Sequence, residues 1–145
     1  MRRMLGLISV VTLVGAFAVA SQARTAYHSS QHGALHVTKE CSDYHGQAGE
    51  FCTITSSNIQ AIPAGSRVFY LEGAGATGLD SDLVLYAGPG NVALGHVTLS
   101  FQTATGEITF AGGTGDFRGF RAHAAVSFDG ALWHWDGTYR FALDD

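Results

Sequence analysis

Val97-Thr98-Leu99-Ser100-Phe101-Gln102 runs through Thr103-Ala104-Thr105-Gly106 into Glu107-Ile108-Thr109-Phe110, and the reading of this stretch decides the fold. Apolar side chains recur at every second position on both sides of a Gly-ending turn. A period of two buries one face of a strand and leaves the other for solvent, a ligand or a partner. Taking residues 103–106 as the loop sets Gln102 opposite Glu107, Phe101 opposite Ile108 and Leu99 opposite Phe110. Val97, Leu99, Phe101, Ile108 and Phe110 then share one face, while His96, Thr98, Ser100, Glu107 and Thr109 share the other.

The same alternation extends outward. Strands are expected over residues 35–41, 51–58, 67–72, 82–87, 92–102, 107–111, 120–128 and 131–141. Breakers separate them: Pro63-Ala64-Gly65, Gly73-Ala74-Gly75-Ala76-Thr77-Gly78, Gly88-Pro89-Gly90-Asn91 and Asp129-Gly130, the last a strong hairpin signal. Gly137, inside the last strand, suggests a bulge. Eight antiparallel strands with short connections predict an all-β chain closed into a barrel, which removes exposed edges. An open two-sheet sandwich is the competing arrangement. An eight-stranded barrel either fills with side chains or holds one small ligand.

The N-terminal stretch reads as a signal peptide over residues 1–23. Met1-Arg2-Arg3-Met4 is basic, residues 5–20 are uncharged and largely apolar, and small residues allow cleavage after Ala20 or Ala23. Residues 24–34 then read as a flexible segment and 35–145 as the barrel, in a secreted, periplasmic or extracellular protein. Loss of Arg2 and Arg3 leaves six basic residues against twelve acidic ones, a net charge near −6. That balance argues against nucleic acid and, after cleavage, against a membrane as partner. The only cysteines, Cys41 and Cys52, read as a disulfide in an exported chain. Closing such a loop stabilises by about 3 kcal/mol in the chain-entropy model.

Gly112-Gly113-Thr114-Gly115-Asp116-Phe117-Arg118-Gly119-Phe120, following Glu107-Ile108-Thr109-Phe110, resembles the Gly-Gly-Thr-Gly-x-aromatic-x-Gly turn of dirigent proteins and the allene oxide cyclase barrel family. The resemblance implies a small barrel, usually exported or compartment-targeted, with an apolar cavity. Its relatives hold a hydrophobic, often unsaturated substrate and guide ring closure or coupling, and several are oligomers. The acidic pair of dirigent proteins has only an approximate counterpart in Asp80-Ser81-Asp82, so no catalytic residue is carried over.

From the residues themselves, Tyr70, Glu72 and Asp82 are the candidates for acid–base chemistry, because a carboxylate sunk in an apolar barrel has a raised pKa. Their alternative is an exposed position beside the Gly-rich loops. Tyr86, Phe101, Phe110, Trp133, Trp135 and Tyr139 are the candidate lining for a planar or polyene ligand, or else core and interface filler. His96, His123 and His134 lie on three strands and weigh as outward polar positions rather than a metal site. No cofactor is implied. The expectation is a barrel that binds a small hydrophobic molecule and guides its cyclisation or isomerisation, an isomerase if it is an enzyme. The rival is a structural or interaction protein with a filled barrel, homo-oligomeric or partnered.

Overall fold

The computed structural model describes residues 31–142. The expected signal peptide and residues 24–30 of the expected flexible segment lie outside the described residues. Eight strands, β1 (His32–Glu40), β2 (Phe51–Ser57), β3 (Arg67–Tyr70), β4 (Gly78–Tyr86), β5 (Val92–Ser100), β6 (Thr105–Gly113), β7 (Phe120–Phe128) and β8 (Trp133–Phe141), follow one another round a closed barrel in which β1 pairs with β8. Every pairing is antiparallel, so each strand meets its sequence neighbours and no edge is left open.

Alternation places the apolar face inward. Leu35 and Val37, Cys52 and Ile54, Leu83 and Leu85, Ile108 and Phe110, and Ala122, Ala124 and Val126 are all buried, and the residues between them, mostly polar, face out. An aromatic column runs along the lumen: Trp135 meets Phe110 at 5.6 Å, Phe110 meets Phe120 at 5.5 Å, and Phe120 meets Phe117 and Phe141 at 5.4 and 5.1 Å. Most of these rings are 3 % exposed or less, so they fill this part of the lumen. One end of the barrel is plugged by Phe117, on the short 3₁₀ turn Gly115–Phe117 that the Gly-rich motif forms.

Several boundaries differ from the sequence reading. His32, Gly33 and Ala34, assigned there to a flexible segment, pair with Arg140, Tyr139 and Thr138. β4 starts four residues earlier than read and β3 ends two earlier. The β5–β6 hairpin pairs Ser100 with Thr105 and Val97 with Ile108, four residues away from the register read from the turn. A slip of four is even, so every residue kept its face. Phe101 alone was lost from the inner set, because it now lies in the turn, 40 % exposed.

Gly137 makes no bulge: β8 pairs with β7 and β1 in unbroken register through it. The glycine is required by close approach instead. A Cβ there would sit 2.0 Å from the His123 carbonyl oxygen and 2.5 Å from the Ala124 Cα, both backbone atoms that cannot step aside. Gly137→Ala is expected to lose at least about 2 kcal/mol in urea unfolding, the range of an overpacked site. A stability within error of the parent would show that β7 and β8 separate freely at this point.

Candidate functional site

Leu35, Val37 and Lys39 share one parity on β1, so the strand that buries the first two turns the third into the barrel as well. Lys39 is the only lysine in the chain and is 6 % exposed. Its Nζ donates to the Tyr70 Oη at 2.6 Å and lies 3.7 Å from the Cys41 Sγ. Three rings surround the nitrogen, those of Tyr70, Trp133 and Trp135, at 5.3, 5.6 and 5.8 Å from ring centre. Cys41 is disulfide-bonded to Cys52, which anchors both ends of the β1–β2 loop beside the amine. That loop carries Tyr44 over the Tyr70 ring, 5.0 Å between centroids, and is tied down by Gly49 N–H to Tyr70 O (2.7 Å) and Ala74 N–H to Gly46 O (2.8 Å). The Tyr44 hydroxyl is buried without a hydrogen-bond partner.

Among the described residues no carboxylate stands within ion-pair distance of Lys39. Taking an ammonium out of water costs several kcal/mol, and a desolvated cation–π contact returns about 2 kcal/mol. Desolvation therefore wins and lowers the Lys39 pKa to about 7. Burial, reinforced by the nearby Tyr44, pushes Tyr70 upward from the ordinary phenol value. Near neutrality the pair holds a sizeable fraction of free amine against a phenol that keeps its proton. An amine in that state is a base and a nucleophile, and the phenol is an acid at hydrogen-bond distance.

Of the acid–base candidates, Tyr70 alone points into the lumen. Asp82 faces outward and is exposed, as its alternative reading had it; the correction is to its place, mid-strand in β4 and not at a strand end. Both parities of β4 carry apolar residues, and the longer strand buries Leu79, Ser81, Leu83 and Leu85 instead of Asp82, Val84 and Tyr86. Asp82 and Asp80 hold His96 between them, accepting from its Nδ1 at 2.8 Å and Nε2 at 2.7 Å. These bonds, Asp82 first, raise the His96 pKa. Glu72 lies beyond the end of β3, exposed, where its carboxylate accepts from Ser81 Oγ at 2.8 Å and Asp82 N–H at 2.6 Å and so clamps the β3–β4 connection.

The aromatic candidates divide in the same way. Trp133, Trp135, Phe110 and Tyr139 belong to the interior or its rim, with Trp133 and Tyr139 half-buried. Tyr86 is outside the barrel, a second correction, and Phe101 stands in the wall of an open cleft of ≈ 1140 Å³ between the β3–β4 and β5–β6 connections. His96, His123 and His134 do not converge. Each pairs with its own carboxylates, His123 with Glu107 and His134 with Asp129, and among the described residues no group of three such side chains is placed to hold a metal ion.

Lys39 and Tyr44 were missed by the sequence reading. The signal for Lys39 was present, since its parity with Leu35 and Val37 places it inside; Tyr44 sits on a loop, where no periodicity reports position.

The amine also sets a pH dependence. Unfolded, Lys39 titrates near its ordinary 10.5; folded, at about 7. Between these values the unfolded chain binds more protons, so stability rises with pH by about 1.4 kcal/mol per unit. Above about pH 10 the raised phenols Tyr70 and Tyr44, which face the amine from β3 and the loop, reverse the trend. Trp133 and Trp135 of β8 add no titrating group. Urea unfolding should show a gain on the order of 4 kcal/mol from pH 7 to 10, absent in Lys39→Met; parallel slopes in the two proteins would contradict the burial of a free amine. No family model, curated protein or solved structure matches this chain.

Proposed function

We propose that this protein binds a small hydrophobic molecule at the Lys39 end of its barrel, with Lys39 and Tyr70 as the polar contacts that orient it. The observation that carries the reading is the chain's single lysine, buried among aromatic rings and hydrogen-bonded to a phenol. Apolar walls with a few convergent polar groups of perturbed pKa are the composition of a small-molecule site. The ligand enters at the rim formed by half-buried Tyr44 and Trp133, not through the packed centre of the lumen. Access requires the β1–β2 loop to swing on its disulfide anchor, the kind of local opening that loops allow well below the cost of global unfolding. Proton transfer between Tyr70, the amine and the ligand is the chemistry available, and it suits an isomerisation or cyclisation. An exported protein of the allene oxide cyclase-like group fits the disulfide, the closed barrel and the Gly-rich plug.

A second reading, an interaction protein acting through its outer face, draws on a different observation. Phe51, Phe69, Val84 and Leu94 are consecutive cross-strand partners on β2, β3, β4 and β5, forming one outward apolar row. Phe51 and Phe69 stack at 5.4 Å with the Arg67 guanidinium 4.7 Å over Phe51, and Leu94 is 53 % exposed. An exposed row of this kind suits a second copy or another protein.

Native mass spectrometry of the protein purified from its producing cells or medium separates the two. The first reading predicts a monomer mass with an organic adduct that extraction removes and that Lys39→Met loses. An adduct-free dimer that Leu94→Asp splits would overturn it in favour of the second.

A further inference from the structure

The ligand class can be read from the chemistry of the amine, an argument that rests on the binding site proposed above. We infer that Lys39 is an imine-forming nucleophile and that the site takes apolar aldehydes or ketones, held covalently through Lys39 Nζ. Four features of the geometry support this. The amine is the chain's only one on a side chain, and it is buried. Among the described residues no carboxylate pairs with it to hold it as an ammonium. A phenol hydroxyl stands 2.6 Å from the nitrogen. The Tyr44 hydroxyl, at the rim beside Tyr70, is buried with no partner, and a buried unpaired hydroxyl is unfavourable until something arrives to bond it. A carbonyl ligand, its alcohol intermediate or the water it expels supplies that partner.

The step balances without any oxidant or reductant. The neutral Lys39 nitrogen attacks the carbonyl carbon, the C–N bond forms, and the C=O π pair moves to oxygen, which takes one of the two nitrogen protons to give the carbinolamine. Tyr70 then protonates that hydroxyl, which leaves as water as the C=N bond forms, and the nitrogen's remaining proton returns to the phenolate. The overall change is R–CHO plus Lys39–NH₂ to R–CH=N–Lys39 plus H₂O. The rings of Trp133, Trp135 and Tyr70 close round the product, excluding the water that would hydrolyse it. Tyr70 is a catalytic residue in this scheme and Tyr44 a positioning one.

The test exploits the lone lysine. The native protein is incubated at pH 7 with octanal and sodium cyanoborohydride, which reduces an imine to a stable secondary amine. Peptide mapping then separates Lys39 from the chain's N-terminal amine, the other primary amine present. The inference predicts an alkylated Lys39, labelled at least tenfold faster than the same residue in urea-unfolded chain, with Tyr70→Phe slowing the labelling tenfold or more while the N-terminal rate stays unchanged. Octanal label confined to the N-terminus, or equal Lys39 rates in folded and unfolded chain, would overturn it. The parent protein alone decides, so a variant that fails to fold leaves the test intact. If Lys39 is unlabelled while native mass spectrometry still shows an extractable adduct, the imine fails and the binding site stands; if neither is seen, both fail.

Discussion

Closure of the sheet through the pairing of β1 with β8 is the constraint on which the rest of the structure depends. Once eight strands close, the lumen is just wide enough for side chains to fill or for one small ligand, and parity decides which side chains enter it. On seven strands the inward parity brings aliphatic and aromatic groups or a small residue such as Ser81. On β1 it brings Leu35, Val37 and then an ammonium stem. The barrel cannot turn Lys39 outward without turning Leu35 and Val37 outward with it, since a one-residue slip inverts the whole strand. The desolvated amine, its phenol partner and the aromatic box follow from that geometry.

The site is built where the barrel is least sealed. At the opposite end Phe117 and the loop residues Ile59 and Ile62 are buried as a plug. At the Lys39 end the closure is a loop, fixed at its base by Cys41–Cys52 and covering the site with one tyrosine ring. The disulfide fixes where that loop begins and sets a sulfur beside the amine. The outer surface differs round the barrel. His36–Asp136, His123–Glu107 and the Asp80–His96–Asp82 triplet dress the wall with pairs that solvent screens, so each adds little to stability. The outward row from Phe51 to Leu94 breaks that pattern.

Much of the fold was legible because parity survives errors that register does not. The β5–β6 hairpin was misplaced by four residues, yet Val97, Ile108 and Phe110 still fell on the buried face. The eight strands, their order and the disulfide partners could be read for the same local reasons. β4 could not, because Val84 and Tyr86 compete with Leu83 and Leu85 and only the strand's true start at Gly78 settles which set is inside. Glu72 and Asp82 read either as acids in the barrel or as exposed residues beside the loops, and they are exposed; the fold uses one as a turn clamp and the other as a partner of His96. Lys39 was legible by parity, yet a lysine on a strand is read as solvent-facing by habit of residue type. The Tyr44 contact, made by a loop across the barrel mouth, leaves no periodic trace.

The barrel holds one lysine beside Tyr70 as an amine that burial brings close to neutrality in its pKa. A single lysine gives a single side-chain signal, so isotope labelling of lysine and an NMR pH titration of its Cε and Nζ resonances measure that amine alone. The account predicts one folded-state transition near pH 7, where Lys39 is placed by burial. A transition near the ordinary 10.5 would put the ammonium in water and contradict the account.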